Sequence, residues 1–245
     1  MSKNTLLFIW IIVLSTSLMG YSEGINDIET LCSTSPQIVH TLMDEINTDY
    51  PGLEKVRESV ENEDWPSACM ALVDYYRNAA SASWLRSGDI GSGTGRDGTA
   101  DDILHDVFTF QSVTGTQPRT ANGGLDWLNL GPRNDLEWGY FLNRHAIFVD
   151  LLRAWRKTGN NIYPEHFDRL VRDWVSANPA PAENEKTVNW RVLEAGLRMA
   201  VTWPESFYGF INTDEFSPTA VIMMLSSVHG HAESVSYTHL TLPTN

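Results

Sequence analysis

The chain has 245 residues and a formal charge of −14, from 31 Asp and Glu against 17 Lys and Arg. An acidic excess of that size opposes nonspecific attachment to nucleic acid, whose phosphates it repels. Two cysteines cannot build a disulfide framework, and the length suits one sizeable core.

Residues 1–22 have the order of a secretory signal: Lys3, the apolar run from Leu6 to Leu14, then small and polar residues up to Ser22. The apolar run is well short of the roughly 20 residues that a bilayer-spanning helix needs, so no stable membrane anchor is expected. The reading is of an exported protein, periplasmic or secreted, whose mature chain starts near residue 23. An oxidising compartment would permit Cys32 and Cys69 to pair, but no spacing pattern asks for it, and Cys69 sits at a core-facing helical position where a buried thiol is expected. The seven histidines are scattered, and His229-Gly230-His231 is too close-set to serve as a metal pair, so neither a metal site nor a cofactor is expected.

After the leader, apolar residues recur at three and four positions, the helical period. Leu53, Val56 and Val60 make one stripe; Trp65-Pro66 opens the next helix, whose buried face continues through Cys69, Leu72, Val73 and Tyr76. Serine and glycine then dominate up to Gly98. Gly93-Thr94-Gly95-Arg96-Asp97-Gly98 has dinucleotide-loop spacing, yet no buried strand precedes it, so it reads as a connection before a helix capped by Thr99. Val107-Phe108-Thr109-Phe110 is a short strand-prone piece. Beyond a polar loop ending at Gly131-Pro132, Asn134 or Asp135 caps one long helix running to Thr158-Gly159. The 146–155 stretch inside it is apolar nearly all round, as in a helix covered on most sides. Further helices start near Tyr163, ending at Asn178-Pro179; at Trp190, stopped by Trp203-Pro204; and at Ser217-Pro218. With almost no strand and short connections, the expected class is all-α, helices packed in antiparallel pairs.

Two polar stripes interrupt these apolar helices. Arg191, Glu194 and Arg198 fall at i, i+3 and i+7, on one helix face, and Glu137, Tyr140 and Arg144 repeat the spacing, with Asn143 and His145 adjacent. The plain explanation of the first stripe is a Glu194–Arg198 ion pair between turns. If both stripes turn inward they line a shared polar hollow, able to hold a sugar chain by its hydroxyls, carboxylates and ring faces. The predicted substrate-contacting set is Glu137, Asn143, Arg144, His145, Trp190, Arg191, Glu194 and Arg198. Trp127, Trp138 and Trp190, taken singly, also suit a core.

The run 136–145 (LEWGYFLNRH), Thr158-Gly159, Arg172-Asp173-Trp174 before Asn178-Pro179, and the run 190–199 (WRVLEAGLRM) together resemble the N-terminal domain of heparinase II/III-like polysaccharide lyases. The resemblance covers roughly Leu53 to Ser234. It implies an incomplete (α/α) toroid spanning 23–234, followed in the family by a C-terminal β-sandwich. It also implies cleavage of uronic-acid polysaccharides, of heparin, heparan sulfate or alginate type, by β-elimination. That reaction needs the substrate carboxylate neutralised, the C5 proton taken by His or Tyr, and the leaving oxygen protonated by Tyr. In the family the neutralising Asn or His follows the helix that corresponds to Pro218 through Glu233, and the Tyr and second His come later. No catalytic residue is therefore assigned within this chain. Residues 235–245 do not match that pattern and read as a non-native tail with the β-sandwich missing, so Tyr237 and His239 are not taken as catalysts. The implied partner is an acidic polysaccharide, and in so acidic a protein its binding face must be a local basic patch. Two other readings stay open: an α/α-barrel glycoside hydrolase using Glu137 and Glu194, and a non-catalytic carbohydrate-binding helical module.

Overall fold

The computed structural model describes residues 26–80, 82–86, 88–93, 95–181 and 187–240, the last four by backbone alone; the signal segment 1–22 and residues 241–245 of the predicted tail lie outside the described residues. Helices α1 (Ile28–Thr34) and α2 (Pro36–Glu45) meet at Ser35; Asp27 caps the first by accepting from the Thr30 N–H, and Pro36 opens the second. The stripe at Leu53 and Val56 becomes α3 (Glu54–Glu61), and Asp64 caps α4 (Trp65–Asn78), which buries Cys69, Leu72 and Val73 against it. Cys32 of α1 is half-buried, and burial pushes the Cys69 thiol pKa up.

A four-residue helix, α5 (Ser83–Arg86), precedes the glycine-rich connection. Part of that connection runs along the end of a later helix, Gly91 N–H donating to Arg156 O. The helix that follows, α6 (Gly98–Leu104), is capped by Asp97, not by Thr99 as the sequence suggested: the Asp97 carboxylate accepts from the Ala100 N–H. The strand-prone piece pairs with a partner that the sequence did not flag. β1 (Val107–Phe110) runs antiparallel to β2 (Val113–Thr116), which is hard to see in a segment as polar as Val-Thr-Gly-Thr.

The expected single long helix is two. α7 (Leu136–Asn143), capped by Asp135, and α8 (Ala146–Thr158) are separated by Arg144 and by His145, which is left-handed at φ +59°. That conformation costs about 1–2 kcal/mol for a residue with a Cβ. Burial of the imidazole among Trp127, Phe148, Trp174 and Trp203 offsets it, with the Trp203 indole N–H donating to Nδ1 at 2.8 Å. Gly159, also left-handed, ends α8, and α9 (Ile162–Ala177) packs back along it.

Trp203-Pro204 does not stop the following helix. α10 (Val192–Leu197) passes into a π turn over Arg198–Thr202 and on into α11 (Trp203–Phe210), with Trp203 N–H bonding to Arg198 O. A wider turn absorbs the proline, whose missing N–H would otherwise leave a gap in the ladder. Ser217 caps α12 (Pro218–Ser226) through the Ala220 N–H, and α13 (Val228–Leu240) follows, packed on α10. The architecture is all-α, helices layered in antiparallel neighbours with one small hairpin. Its centre is a continuous aromatic core that includes Trp127, Phe148, Phe167, Trp174 and Phe210. No helix among the described residues is long and apolar enough to cross a membrane.

Candidate functional site

The C-terminal end of α7 and the start of α10 meet, and the meeting brings both polar stripes together in an arrangement that differs from simple helix-face spacing. Glu194 is fully buried, and its partners are Arg191, at the cap of its own helix, and Arg144, from the end of α7. Arg144 donates Nε and Nη2 to Oε1 at 3.2 and 3.0 Å, while Arg191 donates Nε to Oε2 at 2.5 Å and Nη2 to Oε1 at 2.6 Å. Burial works to raise the Glu194 pKa, but the hydrogen bonds from Arg191 and Arg144 outweigh it, so the carboxyl is held below its ordinary range. The expected Glu194–Arg198 pair does not form. α10 gives way to the π turn at Arg198, and that guanidinium bonds the carbonyls of Asn143 and Asn189 and the His231 ring.

Arg198 is wholly buried and, among the described residues, has no carboxylate within ion-pair distance, although the Glu194 charge acts on it. It donates Nη1 to Asn143 O at 2.6 Å and to Asn189 O at 2.8 Å, and Nε to His231 Nε2 at 2.7 Å. Its guanidinium lies 4.6 and 5.2 Å from the rings of Trp174 and Trp190. Burial pulls the Arg198 pKa down to about 9, which leaves it charged at neutral pH. His231 Nδ1 faces Ser227 O at 2.7 Å, so the proton sits on Nδ1 and Nε2 is the acceptor for Arg198. Burial, with the Arg198 charge behind it, lowers the His231 pKa to about 3. Arg198 therefore ties the end of α7, the segment before α10, and α13 to one point.

The predicted residues separate into two layers. Asn143, His145, Trp190, Glu194 and Arg198 are buried and face one another. The Asn143 amide donates to Trp127 O and Gly139 O and accepts from the Trp174 indole at 3.0 Å. The Trp190 indole donates to Asn178 O and stacks near Trp174 and His231. These five lie beneath the surface, where they brace the residues above them, while the expectation of direct substrate contact rests with the partly exposed ones. Toward solvent lie Arg144 and Arg191, with side chains 18 % and 38 % exposed, and half-buried Glu137 and Tyr140. Arg191 sits 3.7 Å from the Tyr140 ring centroid and Arg144 4.1 Å from that of Phe141, so aromatic faces hold both cations. Two guanidinia here meet two carboxylates, the buried Glu194 and the half-buried Glu137, whose charge also acts on Arg191.

Sequence reasoning missed His231, Asn189 and Thr202 as members of this cluster. Thr202 Oγ donates to Arg144 O at 2.8 Å. His231 was visible only beside His229, and nothing in its spacing ties it to a residue 33 positions earlier. Among the described residues no group of three His, Cys, Asp or Glu could hold a metal ion.

The family model for the heparinase II/III N-terminus matches residues 42–242. A heparin-sulfate lyase of Bacteroides stercoris is 28% identical over 207 residues, covering 76% of this chain and 30% of that protein. The heparin-sulfate lyase of Pedobacter heparinus is 27% identical over 213 residues, covering 84% of this chain and 32% of that one. Among solved structures, heparan sulfate lyase HepC from Pedobacter heparinus superposes with a TM-score of 0.66 at 24% identity, over 81% of this chain and 32% of that chain. A heparinase III structure gives a TM-score of 0.64 at 25% identity, over 79% of this chain and 30% of that chain. This chain thus spans about a third of the length of the relatives it matches, and over that span it belongs to the heparinase II/III N-terminal family and has its α/α toroid fold.

Proposed function

We propose that residues 42–242 form the sugar-gripping wall of an exported polysaccharide lyase that cleaves a uronic-acid polysaccharide by β-elimination, heparan sulfate being the foremost candidate and alginate the next. One observation carries the reading: two aromatic-backed arginines, Arg144 and Arg191, are held half-exposed around the buried Glu194. Arginines fixed in this way present preorganised donors to a carboxylate or sulfate, and their order is paid for by the fold and not at binding. Export is supported by the charged, apolar and small-residue order of 1–22. In this reading the segment holds the polymer, and the proton transfers of the elimination are not assigned to Arg144, Arg191 or Glu194.

The test uses the purified chain with heparan sulfate and with alginate, following binding by titration calorimetry and cleavage by the ultraviolet absorbance of an unsaturated product. The expected result is saturable, salt-sensitive binding to one polymer, weakened at least about tenfold by Arg144→Ala or Arg191→Ala, with any product formed being unsaturated. Reducing sugar released without an unsaturated product, or binding indifferent to both arginines, would overturn it. The hydrolase alternative loses support from the site itself. Either carboxyl of a glycosidase pair must reach the sugar or its water, whereas Glu194 is fully buried with both oxygens taken by Arg144 and Arg191.

A further inference from the structure

A second cleft opens at the far end of α8, about 15 Å along the helix from His145 at 1.5 Å per residue. It encloses about 430 Å³, within the range of roughly 300–1,000 Å³ usual for small-ligand sites. Trp155 of α8 and Tyr208 of α11 supply the apolar part of its wall, and the polar part comes from Asn161 and from Asn212, Asp214 and Glu215 in the turn between α11 and α12.

The walls are braced from behind. Arg77 donates to Ile211 O and Phe216 O, gripping both ends of the turn at 3.2 and 3.3 Å. Asn161 donates its amide to Glu215 across the cleft edge. Arg86 of α5, which also lines the cleft, donates to Arg77 O at 2.7 Å and lies over the Tyr208 ring, 5.4 Å from its centroid. Arg156 fastens α5 to α8 through Leu85 O. Loops held by four separate side chains cost little further ordering when a ligand arrives.

The chemistry of the lining selects a ligand class. Two aromatic side chains beside amides and carboxylates match the alternation of C–H faces and hydroxyls on a pyranose ring. Two carboxylates against one arginine, whose terminal nitrogens already serve backbone carbonyls, make the cleft repel sulfate and uronate groups. We infer that this cleft is a second carbohydrate site, taking an uncharged mono- or disaccharide unit, separate from the arginine site at the other end of α8. The inference goes beyond the proposed lyase role and uses none of its residues.

The experiment is calorimetric titration of the full chain with N,N′-diacetylchitobiose and, separately, cellobiose. The expected outcome is saturable binding with a Kd of about 1 mM. Trp155→Ala should weaken it at least about tenfold. Because Trp155 also packs on Phe210, the paired substitution Asn212→Ala with Asp214→Ala, at two exposed positions, is the variant that preserves the core, and it should weaken binding similarly. A heparan sulfate oligosaccharide present throughout should leave the disaccharide isotherm unchanged. Failure of both disaccharides to saturate, binding indifferent to the paired substitution, or displacement by heparan sulfate each overturns the second site. Heparan sulfate binding lost with Arg144→Ala would be a separate result about the first.

Discussion

Glu194 shows how one residue can be a charge in the sequence and a keystone in the fold. Its carboxylate is inaccessible and takes all its compensation from Arg144 and Arg191, so removing the charge strands two guanidinia at once. Breaking a fully buried pair costs about 3–5 kcal/mol; with both arginines partly in water, Glu194→Gln should cost about 2–3 kcal/mol, read as a lower urea midpoint with an unchanged slope. A loss under about 0.5 kcal/mol would mean that solvent already carries the arginines. The stripe containing Glu194 was legible from spacing alone, since Arg191 and Glu194 do pair three residues apart. The choice of Arg144 over Arg198 as second partner was not. In a regular helix residue 198 stands one turn above Glu194, while residue 144 is 50 positions distant and comes near only through packing.

At the scale of elements, helix ends carry most of the information that the chain states openly. Asp64, Asp135 and Ser217 each cap the helix that begins after them, and Gly159 ends α8, as residue type alone implies. Gly159 is left-handed at φ +71°, and a Cβ there would also run into the backbone of Gly91 and Gly93, which cross the helix end. Gly159→Ala should therefore cost more than the usual ~1 kcal/mol of a left-handed alanine, about 2 kcal/mol or above, measured by thermal or urea unfolding. A near-neutral effect would show that the 88–93 connection moves aside. Internal breaks are the opposite case. The left-handed His145 between α7 and α8 has no local marker, being held by the Trp203 indole, and the π turn at Arg198–Thr202 has only Pro204, while its Arg198 is held by the distant carbonyls of Asn143 and Asn189 and by the His231 ring.

For the molecule as a whole, the unusual feature is how many titratable groups lie in the core. His145, His166 and His231 are all buried, and burial above all holds their pKa values far under 6.5, to about 3 for His166 and His231. The unfolded chain binds protons near pH 6.5 that the folded chain refuses. Stability from these groups is therefore complete above about pH 6.5 and declines as pH falls toward 3, by about 2 kcal/mol per histidine at pH 5. His231→Gln keeps an acceptor for Arg198 while removing one titration, so it should flatten the slope of stability against pH between 5 and 6 by close to one proton. An identical slope in wild type and variant would place His231 in water.

Composition, helical period and capping residues specified an all-α chain and most of its helix starts, because those depend on neighbours within a turn or two. The characteristic runs at 136–145 and 190–199 pointed to the family for the same reason: contiguous residues can be recognised without knowing what they touch. Which of those residues face water was decided only in three dimensions. Asn143 and Arg144 are adjacent, yet one is sealed beneath Trp127 and Trp174 and the other borders solvent beside Phe141. A side chain's exposure is set by the elements laid over it, and those come from parts of the chain that no local pattern can see.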